Sequence, residues 1–375
     1  MKTHHITIKD LARHLNLSIS TISRAFNDKY DVKPETRKLV LETADKLGYR
    51  PNPIAKKLLQ RCTYNIGVVV PELLTSFFPK VITGIQDIFI KNGYQVLLMQ
   101  SKECYTTELD NIKFFENSMV DGMVISLSKE TKNTDYINRL IKQGLPVVMF
   151  NRVNPDIQAP KVVFNDYKWA FFATEHLIYQ GYKKICHFAS PLTFSLSNQR
   201  IQGFQDALKK HGIPFSPGQI IESGLEIHDG EAITNKLLRE KHDFDAIFSS
   251  NDRAAIGAMK VLKKNHINIP EEVGVMGFSE SSLATVVEPG LTSVQQPTYN
   301  MGTKVAELLL KLIQAEQDTV APQDMTLNGK INIRESTVLG LVGAGGIGLQ
   351  LNASIMGLAW TRVTVILLII IGTVV

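Results

Sequence analysis

Apolar and polar positions follow two rhythms along this chain, and the change of rhythm divides it. In the first fifty residues, apolar positions recur every three or four residues over short stretches. Leu11, Ala12 and Leu15 form one stripe behind Thr7 and Asp10, an N-cap followed by an acid in the first turn, so a short helix is predicted there. Asn16-Leu17 interrupts it. Ser18 opens a second helix running to about Asn27, with Ile22, Ala25 and Phe26 on one face. A third starts at Pro34 with Glu35 in its first turn, turns Val40, Ala44 and Leu47 to the core, and stops at Gly48 before Pro51 and Pro53. From residue 63 to 336 the rhythm becomes one of continuous apolar runs: Ile66–Val70, Val96–Met99, Gly122–Leu127, Val147–Phe150, Ile185–Ala189, Ala246–Ser249 and Val273–Phe278. Helical stretches separate most of these runs, which predicts parallel sheets covered on both faces and enough chain for two lobes.

Charge sharpens the division. The chain has 375 residues and a net charge of +5, but residues 1–60 carry 12 Lys and Arg against 6 Asp and Glu, whereas residues 61–336 carry 28 against 30. A basic head on a near-neutral body suggests a polyanion bound at one end. Three cysteines, widely spaced, argue against a disulfide framework or a cysteine-based zinc site. The opening MKTHHITIKD has no apolar secretory core, so a cytoplasmic location is expected.

The outward face of the second helix carries Ile19, Ser20, Ser23 and Arg24. Two helices joined by so short a turn have helix-turn-helix geometry, in which the second enters the major groove N-terminus first. Arg24 can bond guanine O6 and N7 together, Ser20 and Ser23 can reach base edges or phosphates, and Ser18 and Thr21 suit phosphates at the positive helix end. The alternative is a small helical hairpin with a polar exterior.

The residues here reach a family. Ile8-Lys9-Asp10-Leu11-Ala12, then Leu17-Ser18-x-x-Thr21-Ile22-Ser23-Arg24-x-x-Asn27, then Val32-x-Pro34-Glu35-Thr36-Arg37 and Leu47-Gly48-Tyr49-x-Pro51-Asn52 closely resemble the LacI/GalR family of bacterial transcriptional regulators. The resemblance implies a helix-turn-helix head over residues 1–50, with Ile19, Ser20 and Arg24 as base readers and Ile19 set against a thymine methyl. Thr7, Ser18, Thr21, Ser23 and Asn27 complete the head's candidate DNA contacts. Residues 51–62 resemble the family hinge, where Leu58 would wedge into the minor groove, Ala55 would allow close approach and Lys56 would meet phosphate.

The body, residues 63–336, then has the expected fold of a two-lobed, periplasmic-binding-protein-like α/β domain for effector binding and dimerisation, with crossings near 162–166 and 291–297. Ligands in such folds bind at the carboxyl ends of the strands, between lobes. Polar residues there include Asn151-Arg152, Gln199-Arg200 and Asn251-Asp252, and Pro71–Phe78 supplies aromatics. Each polar residue could also be a helix cap. Arg200-Ile-Gln-Gly203-Phe204, Ser250-Asn251-Asp252-x-Ala254-Ala255-x-Gly257 and Leu291-Thr-Ser-Val-x-Gln296-Pro297 again resemble the family. This implies an effector, usually a sugar or nucleobase-like metabolite, bound by Arg200 and Asp252, with Ser76, Phe77, Phe78, Asn151 and Asn251 as further candidates. Gly277-Phe278-Ser279-Glu280 departs from the family's usual Gly-Phe-Asp-Asp.

No catalytic constellation is present in the sequence: His176, His187 and His228 lack metal spacing and no nucleophile elbow occurs. No cofactor or metal is expected. Residues 337–375 form an apolar tail containing Gly343-x-Gly345-x-x-Gly348, with Arg362 as its one charge. A dinucleotide site is not expected, because no acid for a ribose follows those glycines. The tail resembles the C-terminal part of phosphonate-type ABC transporter permeases, and Val363–Val375 is shorter than a bilayer span. It is expected to be an extension outside the fold.

The resulting expectation is an effector-responsive, DNA-binding transcriptional regulator of carbohydrate or related metabolite genes, acting as a repressor, and not an enzyme. Its expected partners are a pseudo-palindromic double-stranded operator, a small sugar-like effector and a second copy of the chain. A sugar receptor without DNA function, a regulator tethered to the membrane by its tail, and an enzyme are the alternatives.

Overall fold

A computed structural model describes residues 6–26, 32–49, 62–279, 281–315 and 323–338. Asn27, Ala55, Lys56, Leu58, Glu280 and the tail beyond Val338 lie outside the described residues. The chain separates into two compact units, at residues 1–63 and 64–375.

The first unit holds α1 (Ile8–Leu15), α2 (Ile19–Phe26) and α3 (Pro34–Lys46). Thr7 and Asp10 form a reciprocal capping box on α1, and Asn16 ends it in the left-handed conformation. Leu11, Ala12, Ile22, Ala25, Val40 and Ala44 are buried together, so the three stripes read from the sequence make one small core. Arg37 on α3 donates from Nε to the carbonyl of Ala25 at 3.2 Å, tying α3 to the last turn of α2.

The second unit contains two six-stranded sheets. The first lobe has β1 (Asn65–Val70), β2 (Gln95–Gln100), β3 (Gly122–Ile125), β4 (Val147–Phe150), β5 (Lys161–Phe164) and β11 (Met325–Leu327), in the order β11-β5-β4-β3-β1-β2. The second has β6 (Ile185–Ala189), β7 (Ile220–Glu222), β8 (Ala246–Ser249), β9 (Gly274–Phe278), β10 (Thr292–Gln295) and β12 (Lys330–Asn332), in the order β12-β10-β9-β8-β6-β7. All pairs are parallel except β10 with β12. The central strands are buried throughout, as the continuous apolar runs require.

The helices are α4 (Phe77–Lys91), α5 (Tyr105–Asn117), α6 (Asp135–Lys142), α7 (Asp166–Tyr179), α8 (Ser195–Lys210), α9 (Ile227–Arg239), α10 (Asp252–Lys264) and α11 (Thr298–Gln314). They pack as close pairs, α7 on α8, α4 on α11 and α9 on α10. Glycine sets the approach: a Cβ on Gly302 would stand 2.0 Å from the Val81 carbonyl oxygen, and one on Gly230 the same distance from that of Ala254.

The chain passes between the sheets three times: from β5 to α7, from β10 to α11, and from β11 to β12. The third passage, at residues 328–329, has no counterpart in the sequence reading, because β11 and β12 are three-residue edge strands without an apolar run. A Cβ on Gly329 would meet the Gln295 carbonyl oxygen at 2.1 Å and the Phe164 ring at 2.9 Å, so the three crossing segments lie against one another.

The limit at Ser336 is corrected by two residues. Thr337 is fully buried in the second lobe and Val338 nearly so. The Thr337 hydroxyl shares hydrogen bonds with His176 Nε2 at 2.8 Å and Thr292 Oγ1 at 2.9 Å. Among the described residues, no helix is long and apolar enough to cross a membrane.

Candidate DNA-reading face and effector cleft

On α2 the buried Ile22 and Ala25 leave the other face to Ile19, Ser20 and Arg24, all exposed; Ile19 is 46% exposed despite being apolar. The Ser18 hydroxyl accepts from the Thr21 backbone N–H at 3.0 Å and shares hydrogen bonds with the hydroxyls of Ser20 and Thr21 at 2.7 and 2.8 Å. These hydroxyls therefore gather at the positive end of α2, suited to an anion. Ser23 is half-buried on the same helix. Thr7 holds the capping box of α1 and remains exposed.

A cavity of about 830 Å³ lies between the lobes of the body, at the carboxyl ends of the strands. Ser76, Phe77, Phe78 and Asn151 line it from the first lobe, and Arg200, Asn251 and Asp252 from the second. All seven effector candidates thus meet in one cavity. Phe77 and Phe78 form an edge-to-face pair in the first turn of α4, with ring centroids 5.1 Å apart. Asn151 sits in the left-handed conformation just after β4 and turns the chain into the cavity wall.

Two candidates are engaged more deeply than the sequence indicated. Arg200 is 4% exposed, bonds Asp166 Oδ1 through Nε at 2.8 Å and through a terminal nitrogen at 2.7 Å, and donates to the Ser250 carbonyl. Its guanidinium lies over the Phe278 ring, 3.8 Å from the centroid. Asp166 is buried, and that burial raises its pKa against the opposing pull of Arg200. Asp252 is 2% exposed; its carboxylate accepts from the Ser293 hydroxyl at 2.6 Å and from the Ser281 backbone N–H. The cap of α10 is Asn251, not Asp252: its Oδ1 accepts from the Ala254 N–H at 2.9 Å.

The rest of the wall combines Arg152 and Asn251, noted in the sequence at strand ends, with Arg253 and Ser281, which were not. Arg152 pairs with Glu103 at 2.7 Å and stacks on Phe194 across the cleft, 4.3 Å from the ring centroid. Asn251, Arg253, Ser281 and Gln296 line the cavity, and, among the described residues, their Nδ2, Nε, Oγ and Nε2 atoms respectively are buried without a hydrogen-bond partner. Buried polar atoms are normally satisfied, so four around one cavity mark a place for a polar ligand. Gln296 stood out in the sequence only as part of a crossing motif; nothing local revealed that it would line the cavity. Among the described residues no group of three or more His, Cys, Asp or Glu could hold a metal ion.

A helix-turn-helix unit followed by a two-lobed ligand-binding body defines a ligand-responsive DNA-binding regulator. The sequence pattern of "Bacterial regulatory proteins, lacI family" matches residues 7–52, and that of "Periplasmic binding proteins and sugar binding domain of LacI family" matches residues 63–331. Catabolite control protein A of Priestia megaterium is 32% identical over 334 residues, spanning 89% of this chain and 99% of that one. The solved complex of the transcriptional regulator CelR with cellobiose is 27% identical with a TM-score of 0.66, covering 88% of this chain and 100% of that one. The lac repressor dimer bound to operator and the anti-inducer ONPF shares the fold, with a TM-score of 0.77 at 21% identity over 89% of this chain and 99% of that one. The chain belongs to the LacI family. It is a DNA-binding, effector-responsive transcriptional regulator and not an enzyme.

Proposed function

We propose that this regulator is a repressor of carbohydrate or related metabolite genes, working in the cytoplasm as a homodimer on a pseudo-palindromic operator. Residues 1–50 bind DNA, 51–62 form the hinge, and the body from residue 63 to Val338 binds effector and dimerises; the remaining tail stands outside the fold. Thr7, Ser18, Thr21, Ser23 and Asn27 position the head on phosphates and base edges, and Ile19, Ser20 and Arg24 read sequence in the major groove. Leu58 wedges the minor groove, flanked by Ala55 and Lys56.

The effector is a sugar or related metabolite held in the cleft. Ser76, Phe77, Phe78 and Asn151 form one wall, and Arg200, Asn251 and Asp252 the other. The observation that carries this reading is a cavity lined on one side by residues that keep unpartnered buried polar atoms and on the other by phenylalanines. Sugars combine hydroxyls in need of donors and acceptors with apolar faces that pack on aromatic rings. Solved relatives are described as holding cellobiose and ribose. A ligand touching both lobes favours their closed arrangement, and the three crossings at 165, 296–297 and 328–329 are the points about which the lobes turn.

The test is selection of genomic fragments by the purified chain, followed by thermal-shift screening of sugars. The reading expects specific retention of fragments near carbohydrate genes and a raised melting point with at least one sugar. No retained fragment, or no stabilising sugar, would contradict it.

A further inference from the structure

We infer that the effector is an uncharged polyhydroxyl compound, not a sugar phosphate or sugar acid; this rests on the cleft being the effector site. The inference follows from how the charges of the cleft are disposed.

Three guanidinium groups line the cavity, and each is matched by a carboxylate of the protein. Arg152 is bound by both oxygens of Glu103, at 2.7 and 2.8 Å. Arg200 is bound by Asp166. Arg253 is bound by Glu226. Two further carboxylates, Glu72 and Asp252, accept from backbone N–H and hydroxyl groups of their own walls. Asp229 adds another, accepting from the Glu226 N–H at 2.9 Å. Carboxylates thus outnumber guanidinium groups around the cavity. The remaining cations, Lys102 and Lys129, are exposed at its edge.

An anion entering this cleft would lose its hydration and, among the described residues, find no uncompensated buried cation to replace it. The unpartnered buried atoms are of another kind. Asn251 Nδ2 and Gln296 Nε2 are neutral amide donors, and Ser281 Oγ both donates and accepts. Arg253 Nε belongs to a guanidinium whose charge Glu226 already balances. Arg200 uses three of its nitrogens on Asp166 and Ser250, leaving N–H groups that can reach a hydroxyl without gaining a new counter-charge. Neutral hydroxyls fit such a set; a phosphate or carboxylate does not.

The experiment is a thermal-shift and calorimetric comparison on the full chain with charge-matched probes: ribose against ribose 5-phosphate, glucose against glucose 6-phosphate and gluconate, and cellobiose against cellobiose 6-phosphate. The expected result is that the binding probe is neutral and that its charged counterpart binds at least about tenfold more weakly. A charged probe binding as well as or better than its neutral counterpart overturns the inference while leaving the cleft as a sugar site. If no probe binds, both the inference and the sugar reading fall. A second arm uses Glu226→Gln, which keeps an acceptor for the cap of α9 but frees Arg253. This variant is expected to gain affinity for the phosphorylated counterpart of the binding sugar by about tenfold or more. An unchanged preference in the variant would show that the Arg253–Glu226 pair does not set the charge of the ligand and would overturn the inference.

Discussion

His176 on α7 and Thr337, 161 residues later, share a 2.8 Å hydrogen bond inside the second lobe. Thr337 also bonds Thr292 on β10, so this short segment closes the lobe against both a helix and a strand. Replacing Thr337 with Val keeps the shape and removes both bonds. The expected loss is about 1–3 kcal/mol of stability, the usual cost of stranding buried polar partners. Urea unfolding of the body measures it; an unchanged midpoint would mean that this contact is not formed.

His176 and His187 are both buried, and loss of hydration lowers the pKa of each to about 4. His187 is sandwiched between the rings of Phe204 and Phe248, with centroids 5.3 and 4.7 Å away. The unfolded chain takes up these protons near pH 6.5 while the folded chain does not. Stability is therefore complete above that value and falls as pH drops from about 6.5 towards 4, by up to about 1.4 kcal/mol per pH unit for each histidine. Unfolding midpoints between pH 7 and 4.5 test this, and a flat profile would contradict it.

Helix α11 approaches α4 where Gly302 faces the Val81 carbonyl. Gly302→Ala has no room without parting the helices and should cost several kcal/mol, at the upper end of overpacking effects. Thermal unfolding reads this directly; a melting point equal to that of the wild type would contradict the helix spacing.

Arg24 is exposed on the reading face of α2. Arg24→Ala should weaken operator binding by about 1–3 kcal/mol while leaving the sugar-induced thermal shift intact. Operator affinity should also fall steeply with salt as Lys and Arg release counterions. A variant that binds operator normally would remove Arg24 from the reading face.

Much of this organisation was legible in the sequence because the signals were local. The Thr7–Asp10 cap, Pro34 at a helix start and Gly48 at a helix end fixed the head. Apolar runs such as Ile185–Ala189 and Ala246–Ser249 matched their strands. Strands β7, β10, β11 and β12 did not stand out, since none carries three consecutive apolar residues, and β5 was read only as part of a crossing near 162–166. In the cleft, the residue types were visible and their partners were not. Asp166 lies 34 positions from Arg200 and Glu103 lies 49 from Arg152, and only the fold brings each pair together. The pairing makes Arg200, expected from the sequence as an effector-binding residue, a charge-neutralised donor.

On the proposed reading, occupancy of the cleft controls DNA binding by the head. Its most direct test is the operator affinity of the full chain, by fluorescence anisotropy, with and without a saturating amount of the sugar that gives the largest thermal shift, in wild type and in Asn251→Asp. Asp keeps the cap of α10 but removes the Nδ2 donor. Operator affinity should change by about tenfold or more in the wild type, within the usual range of allosteric coupling, and little or not at all in the variant at the same sugar concentration. An operator affinity indifferent to the sugar in the wild type, or shifted equally in both proteins, would contradict it.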